Sequence, residues 1–423
     1  MSKSGKSLPR DWIPSLFCGP RNFDQLRCKD MEEISKVIEE NFGRPLDAIF
    51  SQFDENPLGS ASIGQVHKAV LRESNQTVAV KVLHRDAKGF FRADLATLEK
   101  FTKIAQKQLL PFVKQWRKLF EEEFDCRKEA QKMEEIGRNL EHWKRYVKVP
   151  RVFSDYCTEE VLVMEYLEGN KLSDSLSDIV RELRRMKDER SELSSYVKTR
   201  NRFAAVSSAA AVEKIESAVL TVIELLVKAI NRMSFGFFKR NFLEEPHLVR
   251  INRLRKLVKT LVEVHGRTLF IDGIYNPDPH GGNVLILEDG KLGLIDYGQA
   301  ARVDLDFRRK LASLLVAIDR GDWDNVEKYN AEIGFRTEKR SPKILRESAR
   351  LFFGDGKTGK VAFPQYLESL FKGDPLLDYP ADLFMAGKLA IILRGISLCL
   401  WGEVSMAHSW RPAAEEFLRK NQN

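Results

Sequence analysis

The chain has 423 residues, 43% of them apolar, enough to bury a large core in two or three domains or one two-lobed unit, so a folded globular protein is expected. Sixty-nine Lys and Arg against 61 Asp and Glu leave a formal charge of +8; this is modest for a nucleic-acid binder and has no aromatic-basic signature beside it, so no nucleic-acid partner is expected, whereas a nucleotide or an anionic membrane surface is compatible. The five cysteines, Cys18, Cys28, Cys126, Cys157 and Cys399, are odd in number and widely spread without a CxxC, which argues against a disulfide framework or a zinc site and for a reducing compartment.

The opening "MSKSGKSLPRDWIP" lacks the apolar core of a secretory signal and the length of an amphipathic transit peptide. Residues 1–50 read as a helical extension, with helical apolar spacing from Asp30 to Ile49 that ends near "GRP". Residues 51–170 read as a small sheet-containing lobe. In it, two β-rich runs, Gly64 to Leu71 and Thr77 to Leu83, flank the polar turn "RESNQ" as a hairpin. Phe90 to Arg145 read as helices, and "VLVMEYLEG", Val161 to Gly169, as a short apolar strand closing on a turn.

Residues 171–254 form a charged helical stretch containing "RELRRMKDERSELSSYVKTRNR", with eight basic and four acidic residues. Its plainest reading is a solvated helical hairpin or insertion; a membrane-facing or partner-binding surface is the sharper one. Residues 255–423 read as a larger, mostly helical lobe. Its apolar run "MAGKLAIILRGISLCLWG" is interrupted by Lys388 and Arg394, so no transmembrane helix is expected. The predicted class is α+β, with the lobe order of the two-lobed kinases.

Three stretches could carry chemistry. Lys81 lies in "TVAVKVL" on the same strand face as Ala79 and Leu83. A lysine there is costly to bury without an anionic partner, and kinases use such a lysine to hold phosphates; an exposed edge-strand lysine is the plain alternative. Upstream, Gly59, Ser60, Ala61, Ser62 and Gly64 in "LGSASIGQV" are small enough for backbone N–H groups to approach phosphate, although the GxGxxG spacing of ordinary protein kinases is missing. In "EEEFDCRKEA", Glu123, Asp125 and Glu129 are expected on one helix, with Asp125 and Glu129 sharing a face and Glu123 turned away; a solvated acidic face is the plain reading, and an ion-pair partner for Lys81 the functional one.

The most specific stretch is "GIYNPDPHGGNVLILEDGKLGLIDYGQAARV". Asp278 and Asn283 are five positions apart, the spacing of the Asp and Asn in the kinase pattern HRDxxxxN, and Asp296 opens "DYGQ" thirteen positions further, in the place of DFG. Folding "VLILEDGKLGLI" as a hairpin through "EDG" lets Asn283 and Asp296 face each other as oxygen ligands for Mg²⁺. Asp278 is then placed to orient an attacking hydroxyl or water. His280 is either a loop histidine that caps or packs, or a group near the phosphates. Glu165 and Gly169 resemble an inter-lobe hinge that would hold adenine through the backbone.

With these residues in hand, the chain resembles the UbiB/ADCK (aarF-domain) family of atypical kinases from about Phe53 to Leu418. "PLGSASIGQVHKA" is similar to the family's alanine-rich nucleotide loop, with Gly59 and Ser60 replacing its first two alanines. "EFDCRKEA" is similar to its ExD-xxx-EA pattern, which makes Glu123 and Asp125 the ExD pair and Glu129 the partner of Lys81. "PDPHGGN" and "DYGQ" resemble its catalytic and metal-binding loops, and map Asp278 onto catalysis and Asn283 and Asp296 onto the metal.

The resemblance implies a kinase-like fold binding ATP or ADP with Mg²⁺, an atypical kinase or ATPase activity, and a role in prenylquinone (coenzyme Q-type) lipid metabolism at a mitochondrial, plastid or bacterial membrane. A non-catalytic, nucleotide-switched lipid-binding or scaffold pseudokinase is the competing expectation. A small-molecule phosphotransferase is the third, because Asp278, His280 and Asn283 also resemble a DxHxxN arrangement. The chain departs from the family pattern at "KSGK", Lys3 to Lys6, the nearest counterpart of the KxGQ signature. It departs again in the catalytic loop, at Asn276, Pro277 and Gly281.

Overall fold

The computed structural model describes residues 28–60, 63–105, 110, 113, 117, 123–189, 247–356, 366, 369–401 and 404–421. Helix α1 (Met31–Phe42) starts where the Asp30 side chain accepts from Glu33 N and stops at Gly43, whose φ of 65° is the left-handed cap that glycine permits. A single turn, α2 (Leu46–Ile49), leads into β1 (Phe50–Phe53), β2 (Gly59–Ser60), β3 (Gly64–Leu71) and β4 (Thr77–Leu83). Helices α3 (Ala87–Ala105) and α4 (Cys126–Asn139) come next, then β5 (Val147–Lys148), β6 (Val161–Glu165) and β7 (Gly169–Lys171).

The second half begins with α5 (Leu172–Glu189) and α6 (His247–Arg267), followed by β8 (Ile274–Tyr275), β9 (Val284–Leu287), β10 (Leu292–Leu294) and β11 (Ala301–Arg302). Helices α7 (Leu305–Arg320) and α8 (Trp323–Ile333), strand β12 (Arg336–Thr337), helix α9 (Pro342–Phe353), strand β13 (Leu376–Asp378) and helices α10 (Ala381–Trp401) and α11 (Met406–Lys420) complete it.

The first sheet runs β1-β3-β4-β6, with β2 added to β3. Side chains alternate across a strand, so β4 serves two cores at once. Val78, Val80 and Val82 pack with Ile34, Val37 and Ile38 of α1 on the outer face, each such side chain contributing about 1.5–3 kcal/mol by leaving water. Ala79 and Leu83 belong to the core on the opposite face, which includes Ala130 and Met133 of α4. That alternation points Lys81 toward α4 and the cleft.

The chain passes from this sheet to a second one, β5-β10-β9-β7, between Glu165 and Gly169. Beyond it α6, α7, α10 and α11 build the helical lobe. Gly266 lets Trp410 lie against α6, since a Cβ there would come within 2.5 Å of the indole ring, and Trp410 Nε1 donates to Val262 O at 3.0 Å. Ala381–Leu400 of α10 is long and apolar enough to cross a membrane, but 67% of its apolar window is buried inside the protein, and Arg394 donates to the carbonyls of Phe352 and Gly354.

Several sequence expectations need correction. Helix α4 begins at Cys126, so of Glu123, Asp125 and Glu129, expected on one helix, only Glu129 is helical. Asp125 is the N-cap, with extended backbone and a side chain accepting from Arg127 N; a short carboxylate that can satisfy an open helix N–H terminates the helix rather than continuing it. The apolar strand at Val161 divides into β6 and β7, which sit in different sheets. The helical reading through Arg145 ends instead at Asn139, followed by a 3-10 turn at Glu141–Trp143. Lys3 to Lys6, Ala61 and Ser62, and residues 190–246 of the charged stretch lie outside the described residues.

Candidate functional site

The hairpin β9–β10 turns through Gly290, at φ +82°, where Leu287 N donates to Lys291 O and Gly290 N to Leu287 O. Its two ends therefore emerge together. Asn283 Nδ2 donates to Asp296 Oδ2 at 3.0 Å, and Gly298 N donates to Asp296 Oδ1 at 3.0 Å. Asn276 ties the neighbouring loop to this pair: its amide donates to Asp296 O at 2.7 Å, and its oxygen accepts from Asp278 N at 2.9 Å.

From the other lobe, Lys81 Nζ donates to both Glu129 oxygens, at 2.9 and 2.8 Å, and lies 3.6 Å from Asp296 Oδ1. Glu129 stands in the first turn of α4, where the helix dipole favours a carboxylate, and it also accepts from Tyr297 N at 3.3 Å. Burial disfavours the Lys81 charge, but Asp296 and Glu129 outweigh it and hold the ammonium well above its ordinary pKa. Burial raises Glu129 against the pull of Lys81. Asp296, 39% exposed toward the cleft, is lowered to about 2: burial acts to raise it, and Lys81 and the Gly298 N–H more than compensate.

Lys81, Glu123, Asp278, Asn283 and Asp296 line one pocket together with Ile63, Asn276, Gly298 and Gln299. Glu123 is 8% exposed, and its Oε1 has no hydrogen-bond partner. Burial, aided by nearby Asp296, raises its pKa to about 8. Asp278 is held by Lys388 of α10 at 3.1 Å, and the same ammonium donates to Gln299.

Other predicted residues lie around this pocket rather than in it. Asp125 caps α4 and pairs with Arg127 at 3.0 Å. Gly59 and Ser60 form β2, paired to Val66 and Gln65, and Ile63, just before β3, contributes to the pocket wall. Gly64 starts β3, where a Cβ would come within 2.6 Å of Val82 O. Glu165 ends β6 just before the crossover, and its carboxylate bonds Lys148 Nζ at 2.5 Å. His280 shapes its own loop: its ring Nδ1 accepts from Gly282 N and its carbonyl from Asn283 N. Gly281 allows a close approach to α5, because a Cβ would come within 2.9 Å of Ser173 N.

Sequence reasoning missed Ile63, Gln299 and Lys388 as neighbours of the site. The available signals were Gln299 within "DYGQ" and a lysine interrupting an otherwise apolar run. Asn283 and Asp296 supply amide and carboxylate oxygens, the hard donors that suit Mg²⁺. The Asn283 N–H engages Asp296, which makes its amide oxygen the atom available to a cation. Among the described residues no cluster of three or more His, Cys, Asp or Glu could hold a metal alone, so the pair fits an ion whose other ligands are phosphate and water.

A small antiparallel sheet above a helical lobe, with a lysine–glutamate pair facing an Asp/Asn hairpin across the cleft, defines a two-lobed kinase-like protein. Residues 22–199 and 247–330 match the model of the ABC1 atypical kinase-like domain, more than half of the chain, and the protein belongs to that family. It is 24% identical over 314 residues to AarF domain-containing protein kinase 1 of Gallus gallus, covering 72% of this chain and 47% of that protein. A probable protein kinase UbiB of Tolumonas auensis is 34% identical over 158 residues, 36% of this chain and 29% of that protein. The chain thus spans about half, or less, of the length of these curated relatives. Rv3197 of Mycobacterium tuberculosis, solved with erythromycin, shares the fold at a TM-score of 0.51 and 18% identity, over 96% of this chain and 86% of that one.

Proposed function

We propose that the protein is an atypical kinase or ATPase that binds ATP with Mg²⁺ and supports prenylquinone-type lipid metabolism. The observation that carries this reading is the convergence of Lys81, Asp278, Asn283 and Asp296 on one pocket, with Glu129 buried behind the lysine. Lys81, held rigid by Glu129, binds the α- and β-phosphates. Asn283 and Asp296 would hold Mg²⁺, which neutralises phosphate charge in such sites. Asp278 orients the attacking hydroxyl or water, and the backbone between Glu165 and Gly169 takes the adenine. Gly59, Ser60 and Gly64 border the phosphates with their backbone.

The lipid part of the proposal rests on the resemblance to UbiB relatives and the partial match to one of them. An anionic membrane surface is the partner this implies. Sedimentation with anionic or neutral vesicles at low and high salt tests it, and salt-insensitive or absent binding removes it. The second reading, a nucleotide-switched scaffold without turnover, draws on the Asp278–Lys388 ion pair, which engages the residue a nucleophile would use.

Phosphate release with Mg-ATP separates the two. The enzyme reading expects steady release above a metal-free blank and its loss in Asp296→Asn. Unchanged release in that variant removes Asp296 from the mechanism, and nucleotide binding with no release leaves the scaffold.

A further inference from the structure

Helix α10 carries two cations, Lys388 and Arg394, in a largely apolar sequence, and they have different partners. Arg394 donates to the backbone carbonyls of Phe352 and Gly354, a purely structural task. Lys388 lies between residues that the core buries completely, Ala386, Leu389 and Ala390, where a methionine of the same length would pack without desolvation cost. Its ammonium instead reaches two residues that line the pocket, Asp278 Oδ2 at 3.1 Å and Gln299 Oε1. The pair is largely enclosed, with Lys388 25% and Asp278 21% exposed. A surface ion pair of casual origin does not bridge two loops of one pocket.

The loop itself supplies no cation. Between Asp278 and Asn283 the sequence is Pro279, His280, Gly281, Gly282, and His280 is engaged in the turn. Glu123, Asp278 and Asp296 all line the pocket, and among the described residues Lys81 is its one lining lysine, committed to the Glu129 side. Beyond Lys81 and the Mg²⁺ expected at Asn283 and Asp296, a triphosphate entering this group of carboxylates meets a positive side chain on the Asp278 side in Lys388.

We propose that Lys388 is a positioning residue for phosphoryl transfer: it locks Asp278 to the DYGQ segment through Gln299 and, besides Lys81, sets a second protein cation on the γ-phosphate side of a nucleoside triphosphate. This rests on the nucleotide-binding reading given above. The core helix of the larger lobe thereby does for Asp278 what α4 does for Lys81, fixing a polar group from behind with a rigid element.

The test compares the full chain with Lys388→Met and Lys388→Arg, using ADP, a non-hydrolysable ATP analogue and Mg-ATP. In Lys388→Met the thermal stabilisation by ADP should stay, while the additional affinity for the analogue over ADP falls at least several-fold. kcat for phosphate release should drop about 100-fold, the scale of losing one preorganised charged donor, with little change in the ADP inhibition constant. Lys388→Arg should recover part of both.

A purely structural lysine would instead lower the melting temperature and leave the analogue-to-ADP ratio unchanged, which overturns the proposal. A rise in kcat in Lys388→Met also overturns it, by making the ion pair a restraint on Asp278. If Lys388→Met does not fold, Gln299→Leu cuts the same bridge from the other side and must shift the same ratio. Absence of any nucleotide-induced shift in the unaltered chain overturns the nucleotide-binding reading itself, a result distinct from an unchanged ratio in the variant.

Discussion

Replacing Glu123 by glutamine should flatten the pH dependence of stability and make the protein more stable above neutral pH. Glu123 is buried at 8% exposure, with an oxygen that has no hydrogen-bond partner, and it faces Asp296 and Asp278 as well as Lys81 and Lys388. Burial comes first among the causes that raise its pKa from 4.5 to about 8. The carboxyl is therefore neutral in the folded protein at pH values where the unfolded chain has released its proton. Below about pH 4.5 both states are protonated and the group contributes nothing; between about 4.5 and 8 stability is lost as pH rises.

At about 1.4 kcal/mol for each pH unit of that interval, the loss reaches a ceiling of about 5 kcal/mol; water entering the cleft lowers it. Glutamine has the same shape and no proton to lose, so the variant escapes this penalty. Denaturant unfolding of both proteins at pH 5.5, 7.0 and 8.5, without Mg²⁺ or nucleotide, measures it. The difference should be at most about 1.4 kcal/mol at pH 5.5 and grow toward the ceiling of about 5 kcal/mol in favour of Glu123→Gln at pH 8.5. Parallel curves across this range would refute the placement of Glu123 as a buried acid.

Other substitutions test neighbouring parts of the account. Glu129→Gln keeps one acceptor oxygen for Lys81 but removes the negative charge at 2.8 Å, leaving Asp296 at 3.6 Å as its charged partner; a loss of about 3 kcal/mol is expected, the low end for breaking a buried pair, and denaturant midpoints read it. Gly64→Ala drives a Cβ to within 2.6 Å of Val82 O, a backbone clash that should cost about 1–3 kcal/mol; an unchanged midpoint would show that the β3–β4 approach is looser. Asp125→Ala removes the cap of α4 outside the pocket, so stability should fall by about 1 kcal/mol while the affinity for nucleotide, measured by calorimetry, stays the same.

The metal-side part of this site was legible because Asp278, Asn283 and Asp296 lie close in sequence. The spacing of Asp278, Asn283 and Asp296 around a turn with "EDG" placed them on a hairpin, and the alternation in "TVAVKVL" placed Lys81 on the inner face. The boundary of α4 was not legible, since an acidic run satisfies helical periodicity equally well whether or not Asp125 stops to cap it. The division between β6 and β7 was hidden for a similar reason: a strand in one sheet and a strand in the next read as one apolar run when only three residues, Tyr166, Leu167 and Glu168, separate them. Lys388 could be found only in three dimensions. It lies 110 positions from Asp278, and in the sequence its charge serves chiefly to interrupt an apolar helix.

The central claim is that the cleft is a Mg²⁺-dependent nucleotide site built on Asp296. Thermal unfolding of the unaltered chain and of Asp296→Asn, each with ATP or ADP and with or without Mg²⁺, tests it most directly. At ligand near 100 times its dissociation constant, binding contributes about 2.7 kcal/mol. At about 2 cal/mol/K per residue this moves the midpoint of a chain of this length by about 3 °C. The account predicts such a shift for the unaltered chain only with Mg²⁺ and its loss in Asp296→Asn. A shift of equal size in the variant, or none in the unaltered chain, would contradict it.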